Sequence, residues 1–208
     1  MRARFLVLVV VLGAAPARAQ QSETLPAGKF GFVAGVRRNL GALGERYAWG
    51  PLLGIEAHYH PTPIGQTWSL GITWATRFGR AGAGDPDIVE NPLRLLEMSA
   101  GVRARLSLSD SADRFLVVGG GGAVLRSNVP VPPDDKRLYG GGYGMVGFEE
   151  FVLGRNLLSL EARYDAMVEG PQSVTAAVGL GFGNGASNQI SLITTAAFII
   201  GALVMQSI

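Results

Sequence analysis

The 208-residue chain has no cysteine, which excludes disulfide staples and thiolate metal sites. Charge is sparse at 16% of residues, aromatic residues make up only 8%, and histidine occurs twice, at His58 and His60. What the chain has instead is 30 glycines within a composition that is 48% hydrophobic. So much apolar content argues against disorder. Glycine is poorly tolerated inside helices, so the composition leans toward strands and turns. The length suits one domain.

The N-terminus reads as a leader. Arg2 and Arg4 precede an unbroken apolar run from Phe5 to Leu12, and Ala17-x-Ala19 supplies small residues at a cleavage position. The apolar run is too short for a permanent spanning helix, so cleavage is expected after Ala19. The full chain counts 18 basic and 16 acidic residues; without Arg2, Arg4 and Arg18 the balance is 15 against 16, a net charge of −1. The basic character therefore belongs to the leader, and nucleic-acid binding is not expected.

Beyond residue 27 the dominant signal is alternation with a period of two. Trp68, Leu70, Ile72, Trp74 and Phe78 share one face of a strand, and Ser69, Gly71, Thr73, Ala75 and Arg77 the other. Phe30 to Arg37, Leu53 to His60, Leu96 to Leu106, Leu158 to Asp165 and Val174 to Phe182 alternate likewise. Phe115 to Arg126 and Leu138 to Phe151 read as two further strands. Their runs Gly119–Gly122 and Gly140–Gly142 leave the faces unassigned. The total is eight strands.

The polar face separates a soluble sheet from a membrane barrel. In a soluble sheet that face meets water and is rich in lysine, glutamate and glutamine. Here it is mostly glycine, alanine, serine and threonine, interrupted by Arg37, Glu56, His58, Arg77, Glu97, Arg103, Arg105, Glu161 and Arg163. Small residues with pairable charges suit the narrow interior of an eight-stranded barrel, and the greasy face suits lipid. These charged residues are expected to form a structural network in the lumen, with Glu56, Glu97 and Glu161 each within reach of an inward arginine. The expected fold is all-β: an eight-stranded antiparallel up-and-down transmembrane barrel over residues 28–183, after a leader at 1–19 and a short segment at 20–27. Its partner is outer-membrane lipid. The connections Asn39–Arg46, Gly79–Pro92, Ser127–Lys136 and Ala166–Ser173 are expected to be the longer ones, at the outer end. His60–Gln66, Ser107–Asp113 and Gly154–Asn156 are expected to be the short turns at the periplasmic end.

In pattern, in strand count and in the strand-terminal Val178-Gly179-Leu180-Gly181-Phe182, the chain resembles the small outer-membrane β-barrel proteins of the OmpA/OmpX type. The resemblance covers Lys29 to Phe182 and is to an architecture; it implies an outer-membrane location. The chain departs from the class after Phe182, the aromatic residue that normally ends it. Residues 184–208 form a linker and a tail, of which Ile190 to Ile208 carries no charge. As a helix, these nineteen residues would reach about 28 Å, enough to span a bilayer. Three accounts of the tail stay open: docking at the periplasmic side, association with its own copies or with a membrane or periplasmic partner, or anchoring of a periplasmic β-domain in the inner membrane.

Little chemistry is indicated. Glu56, His58 and His60 share a strand face, a spacing that could ligate a metal or supply a general base to a lipid-modifying enzyme. The simpler reading is lumenal packing. The glycine runs are flanked by strands rather than by a helix N-terminus, so they are not phosphate cradles. Asp85, Asp87 and Glu90 lack a calcium-loop spacing. No cofactor is expected, and the expected role is structural or surface interaction rather than catalysis. A passive pore is disfavoured because side chains fill a lumen of eight strands.

Overall fold

The computed structural model describes residues 28–60, 68–81, 92–110, 113–131, 136–152 and 156–183. The proposed leader and cleavage position, the Asp85–Glu90 stretch and the C-terminal tail lie outside them. Eight strands run in order: β1 (Gly28–Leu40), β2 (Trp49–Tyr59), β3 (Trp68–Ala81), β4 (Leu93–Ser107), β5 (Arg114–Val131), β6 (Lys136–Val152), β7 (Asn156–Met167) and β8 (Gln172–Gly183). Each pairs antiparallel with its neighbour, and β1 pairs with β8 through registers such as Phe30↔Phe182, which closes the barrel. Closure leaves no strand of the barrel as a free edge strand.

The alternation read in the sequence becomes an outside and an inside. Phe32, Leu53 and Trp68 project outward with 57%, 63% and 63% of their surface exposed, whereas the charged residues between them point into the lumen and are buried. Outward aromatic residues occur near both ends of the wall, with Phe32 and Trp74 between them. Tyr59, Trp68 and Phe182 lie toward the end that carries the chain termini, and Trp49, Phe78 and Tyr164 toward the other. Ala57, Leu96 and Met98 correct the expected greasy face: they stand on the outward parity but are buried.

The glycine-rich strands, whose faces the sequence left open, keep one register from Arg114↔Glu150 to Arg126↔Leu138 and shift it before Val131↔Lys136. Gly119↔Met145 and Gly121↔Tyr143 pair across β5 and β6, placing Gly119, Gly121, Tyr143, Met145 and Glu149 inside. Across β4 and β5, Gly101 faces Gly121. A Cβ at Gly101 would lie 2.7 Å from the Tyr143 hydroxyl, so the missing side chain is what lets the tyrosine reach across.

The connections depart from the expected long–short alternation: 41–48 and 60–67 are equally long, and only 82–92 exceeds both of its neighbours. At the end remote from the termini, 41–48 and 82–92 are long, but β5 and β6 extend to Val131 and Lys136 and leave only 132–135 between them. Between β7 and β8, the Met167 amide donates to Pro171 O (3.2 Å), the Gly170 amide donates to Met167 O (3.2 Å), and Glu169 takes a positive φ of 49°, so that turn is tight. The glycines that obscured the strand ends pair as well as any other residue, because ladder hydrogen bonds use only the backbone.

One element had no counterpart in the sequence reading. A short helix, α1 (Gly41–Arg46), fills the β1–β2 connection and turns Leu43 inward. Gly41 opens it with φ of +59°, a conformation that glycine adopts without steric cost. The Asn39 side-chain amide donates to Tyr47 O at 2.6 Å and holds the return of the chain. Leu43 and Tyr47 join Leu93, Leu125, Tyr139 and Met167 in an apolar cluster that plugs the barrel at this end.

Candidate functional site

Below the apolar plug, the lumen is a stack of charged layers. In the upper layer Glu97 bridges two arginines. Its Oε2 accepts from Arg37 Nη1 at 3.0 Å, and its Oε1 accepts from Arg163 Nη2. Arg163 also donates to Asp165 Oδ1 (2.7 Å) and Ser99 Oγ (3.1 Å), and its guanidinium lies 3.8 Å from the centre of the Tyr143 ring. One layer down, Arg77 donates to Glu161, with Glu56 Oε2 at 3.7 Å. Glu56 Oε1 lies 3.1 Å from His58 Nε2, and the His58 Nδ1 edge meets Thr73 Oγ1 (2.9 Å) and Arg103 Nη1 (2.5 Å). Lower still, Glu149 is shared: Oε1 accepts from Arg103 and Oε2 from Arg105 Nε at 2.6 Å.

These pairs are braces across the bore. Arg37 is on β1 and Glu97 on β4, Arg77 on β3 and Glu161 on β7, Arg163 on β7 and Glu97 on β4. None of these pairs joins neighbouring strands. In the dry interior each charge stays tolerable only because its partner is held at contact distance. The bottom of the lumen closes on aromatic rings. Phe115 and Phe151 pack edge to face at 6.0 Å, and the buried Lys29 ammonium lies 3.1 Å from the centre of the Phe151 ring.

All nine charged residues assigned to the lumen from the sequence face it in the structure. Three others were missed. Glu149 was hidden because the face of its glycine-rich strand could not be read. Asp165 stood on the polar face of its strand but was not included in the network. Lys29 precedes the alternating stretch, and only its register opposite His58 and Gly183 shows that it points inward.

The arrangement bears on the two chemical readings of Glu56, His58 and His60. The structure brings Glu56 to His58 but leaves His60 with Ser69, whose Oγ lies 3.4 Å from His60 Nδ1. Among the described residues no group of three histidine or acidic side chains converges on a point a metal could occupy. Arg103 beside His58 places a cation where a metal would have to bind. For acid–base catalysis, His60 and Ser69 form a base–nucleophile contact, but His60 Nε2 has no hydrogen-bond partner among the described residues to orient the ring. Both histidines are buried in the lumen, away from the outward face that lipid would touch. What the described contacts do is tie β1, β3, β4 and β7 together across the bore.

No protein-family model matches the sequence, and no curated protein sequence matches it. Solved structures do match in shape. Ail, the attachment invasion locus protein of Yersinia pestis, is 11% identical with a TM-score of 0.50, over 74% of this chain and 97% of that one. Neisserial surface protein A is 16% identical with a TM-score of 0.52, over 76% and 97%. Matches at such identity speak to the fold, and they cover the other chains almost end to end while leaving about a quarter of this one unmatched. The protein thus has the fold of the small eight-stranded outer-membrane barrels.

Proposed function

We propose that the protein is an integral barrel of the bacterial outer membrane, exported by the leader at 1–19, with both termini on the periplasmic side and a structural or surface-interaction role rather than a catalytic one. The observation that carries this reading is the reversal of polarity: the wall is apolar outside and ion-paired inside. A protein dissolved in water would have to solvate that exterior, whereas lipid matches it. About 12 residues of strand, tilted by about 40°, reach about 30 Å, so strands of 11 to 18 residues suit the apolar thickness of a bilayer. The outward aromatics near the two ends stand where the two interfaces of such a layer would fall.

The filled lumen supports the structural role. The bore is occupied by cross-braces and capped by Leu43 and Tyr47, which speaks against a passive pore. What remains for interaction is the outer rim, including the exposed residues Glu45 and Arg46 of α1. The test is heat-modifiable gel mobility of the full-length protein after outer-membrane fractionation. A compact band that shifts on boiling, found in the outer-membrane fraction, supports the reading; recovery as a soluble periplasmic protein overturns it.

A further inference from the structure

The lumen pairs its arginines, but one part of the outward face carries arginines without a carboxylate partner among the described residues. Arg80 and Arg94 are exposed, and Arg126 is half-buried, all on the outward parity near the rim remote from the termini. The β3–β4 register sets Arg80 directly opposite Arg94. The β4–β5 register sets Arg126 opposite Leu96, one outward position below Arg94. The Arg94 amide donates to Asn128 Oδ1 at 2.7 Å and the Asn128 side-chain amide donates to Pro92 O at 3.1 Å, so the backbone carrying Arg94 is tied to β5.

Like charges directly opposite on one face of a sheet repel, because their Cβ atoms stand only about 5 Å apart. None of the three arginines is ion-paired to a described carboxylate. The rim near the termini is different: among the described residues its outward arginine, Arg114, is paired with Glu150 at 3.0 Å. Below these three arginines on the same face lie the outward apolar residues Phe78 and Leu53. Arg38 stands over Trp49 at 5.3 Å on the β1–β2 side and continues the cationic arc. Near the same rim on β7 and β8 there is a neutral contact, Tyr164 with Gln172 at 2.9 Å.

We propose that Arg80, Arg94 and Arg126 bind the phosphate group of an anionic lipid in the leaflet at that rim. The inference rests on the membrane reading above. Guanidinium groups form paired hydrogen bonds with phosphate, and one phosphate between Arg80 and Arg94 converts their repulsion into two attractions. The lipid's chains would then lie on the apolar wall below, which a free anion could not use. The occupant is therefore a lipid headgroup, and one side of the barrel binds it.

The test uses the full-length protein folded in zwitterionic detergent micelles and titrated with diphosphorylated lipid A, or with the same lipid stripped of phosphate. Native mass spectrometry reads the bound fraction. Wild type is expected to retain the phosphorylated form about tenfold or more better than the dephosphorylated one. The double variant Arg80→Gln/Arg94→Gln loses that preference, while Arg114→Gln at the opposite rim keeps it. Equal retention of the two lipids by wild type, or an unchanged preference in the double variant, overturns the proposal. So does displacement by millimolar inorganic phosphate, which would mark a free-anion site. Heat-modifiable mobility, run on the same samples, shows whether each variant is folded. A wild type that never enters micelles would fail the membrane reading itself, whereas a folded barrel without phosphate preference fails only this inference.

Discussion

Replacing Glu97 by alanine removes the carboxylate shared by Arg37 and Arg163 across the bore. Arg163 keeps Asp165 at 2.7 Å, but Arg37 has no other carboxylate partner among the described residues, and its side chain is 3% exposed. Leaving one buried charge without its partner costs about 3–5 kcal/mol. The control is Glu150→Ala, which removes the Arg114–Glu150 pair on the outward face, where the side chains are 51% and 30% exposed. An exposed pair contributes about 0–1 kcal/mol. Urea titration of the micelle-folded protein, followed by the folded and unfolded gel bands, compares the two. With a denaturant slope of about 2 kcal/mol/M, Glu97→Ala should lower the midpoint by about 2 M and Glu150→Ala by less than about 0.5 M. Glu97→Gln separates charge from hydrogen bonding: it keeps an acceptor, and most of the loss should persist because the arginines stay uncompensated. Equal midpoint shifts for Glu97→Ala and Glu150→Ala would refute the claim that the inward charges are dry and mutually dependent.

Three further outcomes are expected. Gly144→Ala meets no atom within 4 Å and should be neutral or stabilise by about 0.4–1 kcal/mol, whereas Gly31→Ala would put a Cβ 2.7 Å from Leu180 O and should lower the urea midpoint. His58→Ala should weaken the barrel by removing contacts to Thr73, Arg103 and Glu56, yet leave the lipid A profile of the expressing cells unchanged; an altered profile would revive the enzymatic reading. A chain ending at Gly183 should still assemble and stay in the carbonate-washed membrane fraction, since β8 closes on β1 and needs no cover; its release as a soluble, folded periplasmic protein would make the tail the true anchor.

Much of this protein is legible in one dimension because strand geometry is. Side chains alternate strictly, so Trp68 to Phe78 declares a greasy face and a small polar face without any knowledge of the partner strand. The same rule put Glu97 and Arg103 on the inward side, and the sparse, small-residue character of that side pointed to a narrow lumen. Where alternation fell silent, so did the sequence. Glycine carries no side chain to mark a face, so Glu149 became visible only once β5 and β6 had a register. The partner choices came from closure alone. Arg37 and Glu97 are 60 residues apart on strands that do not touch, and only a barrel narrow enough for side chains to cross makes them partners. The α1 plug belongs to the same category. Gly41 to Arg46 is too short to signal a helix by periodicity, and what holds Leu43 inward is the apolar mouth built by β4, β5, β6 and β7. Local stereochemistry decided which way each residue faces, and the diameter of the closed barrel decided which residues meet.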